Sequence, residues 1–213
     1  MKKVLVALFA LVFIVPSTVV AQGKDLNKAL KKEYKTKMKE YKKEGWKIFG
    51  SSRSLEVSLL SHYNKLTNGG ENVYEVVGIA SAFKSKNVGH QTAINNACNI
   101  YASQAGSHVR GRVISDIGAN SDDVTAEFDH FYSAYERIVE KEIRGELEES
   151  YSVIRDKGDG SYEMQSFFIV NEDAATKARI RAFENAYKES EAAQKYADKV
   201  AKFVREGFEK ESN

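Results

Sequence analysis

The apolar residues of this chain change their spacing several times, and those changes decide what it can fold into. Leu26, Leu30, Tyr34, Met38 and Tyr41 recur every three or four residues, as do Leu55, Leu59, Tyr63 and Leu66. That period lines them up on one stripe of a helix. From Val73 to Phe83 the pattern alternates instead, through Val73, Val77, Ile79 and Phe83, which predicts a strand. Val88 to Gly106 returns to a helical period, with Ala93, Ala97, Tyr101 and Ala105 in one row and Ile94, Cys98 and Ala102 in the next. Val109, Val113 and Ile117 then read as one side of a second strand. Phe128, Phe131, Tyr135 and Ile138 mark another helix, opened by Asp122 and Asp123 near the positive end of its dipole. Glu146 to Arg155 and Tyr162 to Val170 predict a hairpin around Lys157-Gly158-Asp159-Gly160. A long alanine-rich helix follows, from Asp173 to about Lys210, its apolar spacing faltering near Lys188-Glu189-Ser190. The order α-α-β-α-β-α-β-β-α predicts an α+β fold: a small mixed or antiparallel sheet of about four strands, with helices packed on one face, preceded by a lysine-rich helix.

Glycine has to punctuate this chain, because its only proline is Pro16. Asp25 is a good N-cap for the first helix and Gly45 closes it; Ser54 caps the second, which stops at Gly69-Gly70. Gly78, inside a strand, predicts a bulge or a close backbone approach. The single cysteine, Cys98, cannot form an internal disulfide, so the core must stand without covalent staples.

The first residues read as an address. Met1-Lys2-Lys3 is a basic head, Val4 to Val15 an uncharged run, and Val19-Val20-Ala21 a small-residue exit, the pattern of a secretory signal peptide. The apolar run is short of the ~20 residues a membrane-spanning helix needs. The expected layout is a signal peptide over 1–21, a helical N-terminal region over 22–72 and an α+β core of the same domain over 73–213. Cleavage after Ala21 leaves 192 of the 213 residues, enough for a substantial core.

The formal charge of +2 includes Lys2 and Lys3, so the remainder is neutral and a general attraction to nucleic acid has no support. Its distribution is uneven. Between Lys24 and Glu44 nine lysines face four acids, an excess of +5 that the rest of the chain offsets. Lys28, Lys31, Lys32, Lys35, Lys39 and Lys42 share one face of the first helix. Such a face can rest on an anionic membrane or a phosphate-bearing glycolipid. Equally, it can be the solvated side of a helix docked through Leu30, Tyr34, Met38 and Tyr41.

Other groups read as structural. Cys98 sits on a stripe of small packing residues, and His90, eight residues earlier, lies about 80° around the helix from it. His62, His90, His108 and His130 fall in separate predicted elements, without the i, i+4 spacing of a helical metal site. Asp156-Lys157-Gly158-Asp159-Gly160 resembles the start of a calcium loop, but Phe167 stands where the closing glutamate belongs. Glu146, Glu148 and Glu149 could do acid–base chemistry, or form a solvated strand edge.

A strand with V-x-G-x-A (Val76, Gly78, Ala80), a helix with alanines every four residues, a V-x-G-x-V segment (Val109, Gly111, Val113), and the pair GELEESYSVIRDKGDGSYEMQSFFIV before an alanine-rich helix together resemble the LPP-twenty type of envelope lipoprotein, which includes flagellum-associated outer-membrane accessory proteins. The resemblance covers roughly Val73 to Ala186 and implies a non-catalytic envelope role, with no catalytic residues to carry over. The lipobox cysteine is absent, so lipidation does not carry over, and the lysine helix lies outside the matched region.

These readings predict an exported, non-enzymatic cell-envelope protein, periplasmic or associated with the outer surface. It would bind a protein partner or an anionic envelope surface, without cofactor, metal, nucleic acid or a transmembrane span in the mature chain. Two other classes stay open. One is a secreted hydrolase assembled from distant residues, such as Cys98 or a serine with His90 or His108. The other is a small-molecule or lipid carrier with an apolar pocket.

Overall fold

The computed structural model describes the backbone of residues 22–117 and 121–189, and the side chains of 28–111 and 128–189. The expected signal segment and the alanine-rich stretch beyond Glu189, including its faltering point at Ser190, lie outside the described residues. The elements run α1 (Gln22–Glu44), β1 (Lys47–Phe49), α2 (Leu55–Gly69), a 3-10 turn (Gly70–Asn72), β2 (Val73–Phe83), α3 (Lys86–Ile117), α4 (Ser121–Ile143), β3 (Glu148–Asp156), β4 (Tyr162–Asn171) and α5 (Glu172–Glu189). The four strands are antiparallel in the order β1-β3-β4-β2, and the fold is α+β as the spacing predicts.

Local signals hold where the chemistry is local. Ser54 Oγ accepts from the Val57 N–H at 3.2 Å, satisfying one free donor of the first turn of α2. Gly45 and Gly70, at φ +77° and +57°, end α1 and α2 in a conformation that L side chains resist. In the β3–β4 turn Asp156 Oδ1 accepts from Gly158 N and Asp159 Oδ1 from Ser161 N, each an Asx-type bond within the turn. The first helix departs from expectation by starting at Gln22, three residues ahead of Asp25, which is therefore inside the helix rather than its cap.

Three larger expectations are corrected. The segment Val109–Ile117 is the C-terminal part of α3, not a strand. A spacing of four aligns residues on a helix as well as on a strand, and Val109 continues the buried row of Ala93, Ala97, Tyr101 and Ala105. The fourth strand is instead β1, from Lys47-Ile48-Phe49, so the N-terminal region is not purely helical; it supplies a sheet edge.

The helices also cover both faces of the sheet rather than one. Phe167 of β4 packs with Tyr151, Val153 and Val77 against Met38 and Tyr41 of α1 and Leu59 and Tyr63 of α2. Its neighbours Phe168 and Val170 join Val76 and the α3, α4 and α5 side chains on the other face. Successive strand residues point to opposite faces, so β4 is buried on both sides from Ser166 to Val170. The two layers differ in material. On the first, Tyr151 and Phe167 stack at 4.4 Å between ring centres. On the second, α3 sits directly on β2: a Cβ at Gly78 would lie 1.8 Å from the Ala93 carbonyl oxygen. Gly78 thus marks the close approach its sequence position allowed. The β2 register shift comes later, between Ala80 and Phe83, where Ala82 takes φ +57°.

Candidate functional site

The lysines of α1 form the most distinct surface. Tyr41 and Met38 are buried and Leu30 and Tyr34 half-buried, so the apolar stripe is docked on α2 and the sheet. Lys28, Lys31, Lys32, Lys35, Lys39 and Lys42 are all exposed, and none forms an ion pair among the described residues. At ~100° per residue these six fall in one arc of about 100°. Glu33, Glu40 and Glu44 fall in a separate arc, about 80° beyond the nearest of the six lysines. Glu44 is held toward the sheet, accepting from Arg155 Nη1 at 2.7 Å and Trp46 Nε1 at 3.0 Å. Lys37 is different again: half-buried, its Nζ lies 5.9 Å from the Tyr41 ring centre and 6.0 Å from that of Phe167. Between residues 28 and 44 the six arc lysines are therefore separated from the glutamates around the helix axis.

The histidines are drawn into specific contacts that sequence spacing did not reveal. His62 on α2 is fully buried; its Nε2 lies 2.6 Å from Glu75 Oε2 on β2, and its ring contacts Tyr63, Tyr151 and Phe167 edge-on. His90 and His108 share α3 rather than separate elements, about 27 Å apart along its axis. His90 Nε2 lies 3.0 Å from each oxygen of Glu149 on β3, and Phe49 packs edge-on against its ring. His108 and His130 are exposed.

Glu149 Oε1 also accepts from Ser152 Oγ at 2.5 Å, and Ser152 is hydrogen-bonded to Ser166 Oγ at 2.8 Å. Serine, histidine and glutamate thus meet, but in an order unsuited to nucleophilic attack. A serine nucleophile needs the imidazole on its own oxygen and the acid behind the imidazole. Here both the hydroxyl and the imidazole bond to the carboxylate, and Ser152 is buried at 1% exposure. The chain ties β3 to β4 and α3.

In the acidic group before Tyr151, Glu148 and Glu149 are exposed and Glu146 half-buried, and each member also has a separate partner. Glu146 pairs with Arg181, Glu148 with Lys65 and Glu149 with His90. Nor do Asp156 and Asp159 present free ligands, since both carboxylates bond within their turn. Among the described residues no three His, Cys, Asp or Glu side chains are grouped to hold a metal ion. No described helix is long and apolar enough to cross a membrane.

Cys98 is fully buried beside Ala97, Tyr101 and Ala102. Burial pushes its thiol pKa up, partly opposed by the positive charge of Arg144, so the reactive thiolate is disfavoured at neutral pH. Cys98→Ala should keep the fold and cost about 1–2 kcal/mol for the lost volume. Native-state labelling with a thiol reagent should be slow until denaturant is added; rapid labelling of the folded protein would contradict this burial.

The tyrosines around His62 have the same character. Tyr41 and Tyr151 face each other with hydroxyl oxygens 3.2 Å apart, and burial raises the pKa of both. They supply a neutral hydrogen bond under α1. Arg179 on α5 plays a matching part on the other face, donating to Tyr101 Oη at 2.5 Å, to Thr176 Oγ1 at 2.7 Å and to Glu172. These polar groups join one structural element to another. Among the described residues, the lysine arc presents unpaired charge of one sign outward over several helical turns. No protein-family model, curated protein or solved structure matches this chain.

Proposed function

We propose that this chain is an exported, non-enzymatic protein of the cell envelope that works by binding. The observation that carries the reading is the exposed lysine arc on α1, which begins one residue after the expected cleavage site. The histidine, carboxylate and thiol groups best suited to chemistry are bonded or buried within the fold. The likeness to LPP-twenty-type envelope proteins supports the same class through β2, the β3–β4 hairpin and α5. Its V-x-G-x-V segment is helical here and adds nothing to that support.

Cell fractionation and N-terminal sequencing test the export half directly. The mature chain should begin at Gln22 and be found in the periplasmic or outer-surface fraction. A cytoplasmic protein that retains Met1 would overturn it.

A further inference from the structure

We infer that α1 lies flat on an anionic phospholipid bilayer and contacts it through Lys28, Lys31, Lys32, Lys35, Lys39 and Lys42. The inference rests on the envelope-binding reading and names the partner for it. Lys28 to Lys42 spans about 21 Å of helix axis, so the charges form a line rather than a pocket. All six are lysines, which act as mobile point charges; the arc contains no arginine fork to grip a single phosphate or carboxylate in fixed geometry. A line of point charges suits a continuous, laterally mobile array of phosphates better than one discrete ligand.

Glu33, Glu40 and Glu44 are turned away from this line, and Glu44 is held by Arg155. Because charge is screened within about 10 Å at 0.1 M salt, a surface meeting the arc senses the lysines and little of the compensating negative charge elsewhere. The apolar stripe of α1 is already committed to the core, with Met38 and Tyr41 buried. The attachment is therefore electrostatic, with no apolar face left on this helix to enter the hydrocarbon.

The sequence also argues for a bilayer over other polyanions. The apolar run Val4–Val15 ends only six residues before α1 begins. On the export reading proposed above, the lysine helix follows that run across the membrane and meets lipid headgroups first. Nucleic acid would be met in another compartment, and no aromatic side chain lies within the arc to stack on bases.

The test is vesicle co-sedimentation of the protein purified as the cell processes it. Vesicles of phosphatidylcholine alone are compared with vesicles containing phosphatidylglycerol, at low salt and at high salt. Binding should require phosphatidylglycerol and fall steeply as salt rises. With about fivefold affinity per lysine near an anionic surface, the triple variant Lys31→Gln, Lys35→Gln, Lys39→Gln should bind about a hundredfold more weakly. A charge-matched control, Lys84→Gln, Lys157→Gln, Lys177→Gln, changes exposed lysines elsewhere and should bind as the parent does. Thermal melting of both variants should match the parent, which separates lost contact from lost fold.

Failure to bind phosphatidylglycerol vesicles at low salt overturns the inference. So does equal binding to neutral vesicles, equal loss in the control variant, or binding confined to lipopolysaccharide, duplex DNA or an acidic protein. None of these outcomes changes the fractionation result. Conversely, a cytoplasmic location would overturn the envelope reading while leaving the vesicle measurement to stand or fall by itself.

Discussion

Gly78→Ala is expected to destabilise the protein by about 3 kcal/mol or more, while Gly111→Ala stabilises it by about 0.5–1 kcal/mol. The same methyl group is added in each case, and the surroundings set the sign. At Gly78 the new Cβ would lie 1.8 Å from the Ala93 oxygen, 2.7 Å from its carbonyl carbon and 3.1 Å from Ala97 Cβ. Two of these are backbone atoms, so relief requires α3 to lift from β2. That movement would loosen Val76, Ala97 and Tyr101 in the same core. Gly111 is exposed in α3, with nothing within 4 Å of an added Cβ. There alanine only removes the entropic cost of glycine in a helix. Urea denaturation followed by circular dichroism measures both variants. A neutral Gly78→Ala would contradict the α3–β2 contact, and a destabilising Gly111→Ala would contradict the helical assignment of that segment.

Phe131→Ala should cost about 3–5 kcal/mol, a large share of the roughly 5–15 kcal/mol that holds a typical domain. Phe131 is fully buried, with ring centres 5.2 Å from Phe183 on α5, 5.7 Å from Tyr132, 6.1 Å from Phe128 and 6.4 Å from Tyr135. Truncation leaves a cavity lined by rings, which cannot collapse without moving α4 relative to α5. Phe131→Leu keeps much of the buried area and should lose markedly less. Equilibrium denaturation of the two variants gives the comparison. A loss below about 1 kcal/mol for alanine would mean that the α4–α5 seam is not close-packed there.

Gly78 and Phe131 also show what kind of information a sequence carries. A glycine inside an alternating run already signals a close approach, because no other residue permits it. Only the fold identifies Ala93 as the group approached, and so gives the substitution a size. Phe131 falls on the core stripe of α4 by spacing alone, yet its main partner outside that helix, Phe183, lies 52 positions along the chain.

The order of helices and strands along the chain does not say which face of the sheet each helix covers. A usable signal was present in Ser166-Phe167-Phe168-Ile169-Val170, a run with little alternation. A strand solvated on one face alternates, whereas one covered on both faces reads as nearly continuous apolar sequence. Trp46-Lys47-Ile48-Phe49 gave less to work with. Three paired residues at a sheet edge have too few positions to establish a period, and β1 exists because β3 offers it backbone partners.

The lysine arc was legible because helical geometry fixes it: given a helix, Lys28, Lys31, Lys32, Lys35, Lys39 and Lys42 must share a face. Its freedom from ion pairs among the described residues was not legible, since nearby acids could have folded across it. The His62–Glu75 pair and the His90–Glu149–Ser152 chain were hidden for a related reason. Their members lie on different elements, and the distances between them exist only after the sheet forms.

By itself the sequence determined the elements whose signals are local. These are the Ser54 cap, the glycine-terminated helices, the hairpin turn, the small-residue stripe of α3 and the charge asymmetry of α1. Tertiary structure alone decided that Val109–Ile117 continues a helix, that α1 and α2 cover the second face, and which polar groups bond to one another. The reason is that a four-residue spacing fits a helix and a strand equally well. What separates them is the apolar surface that distant elements bring to bury, which no local pattern encodes.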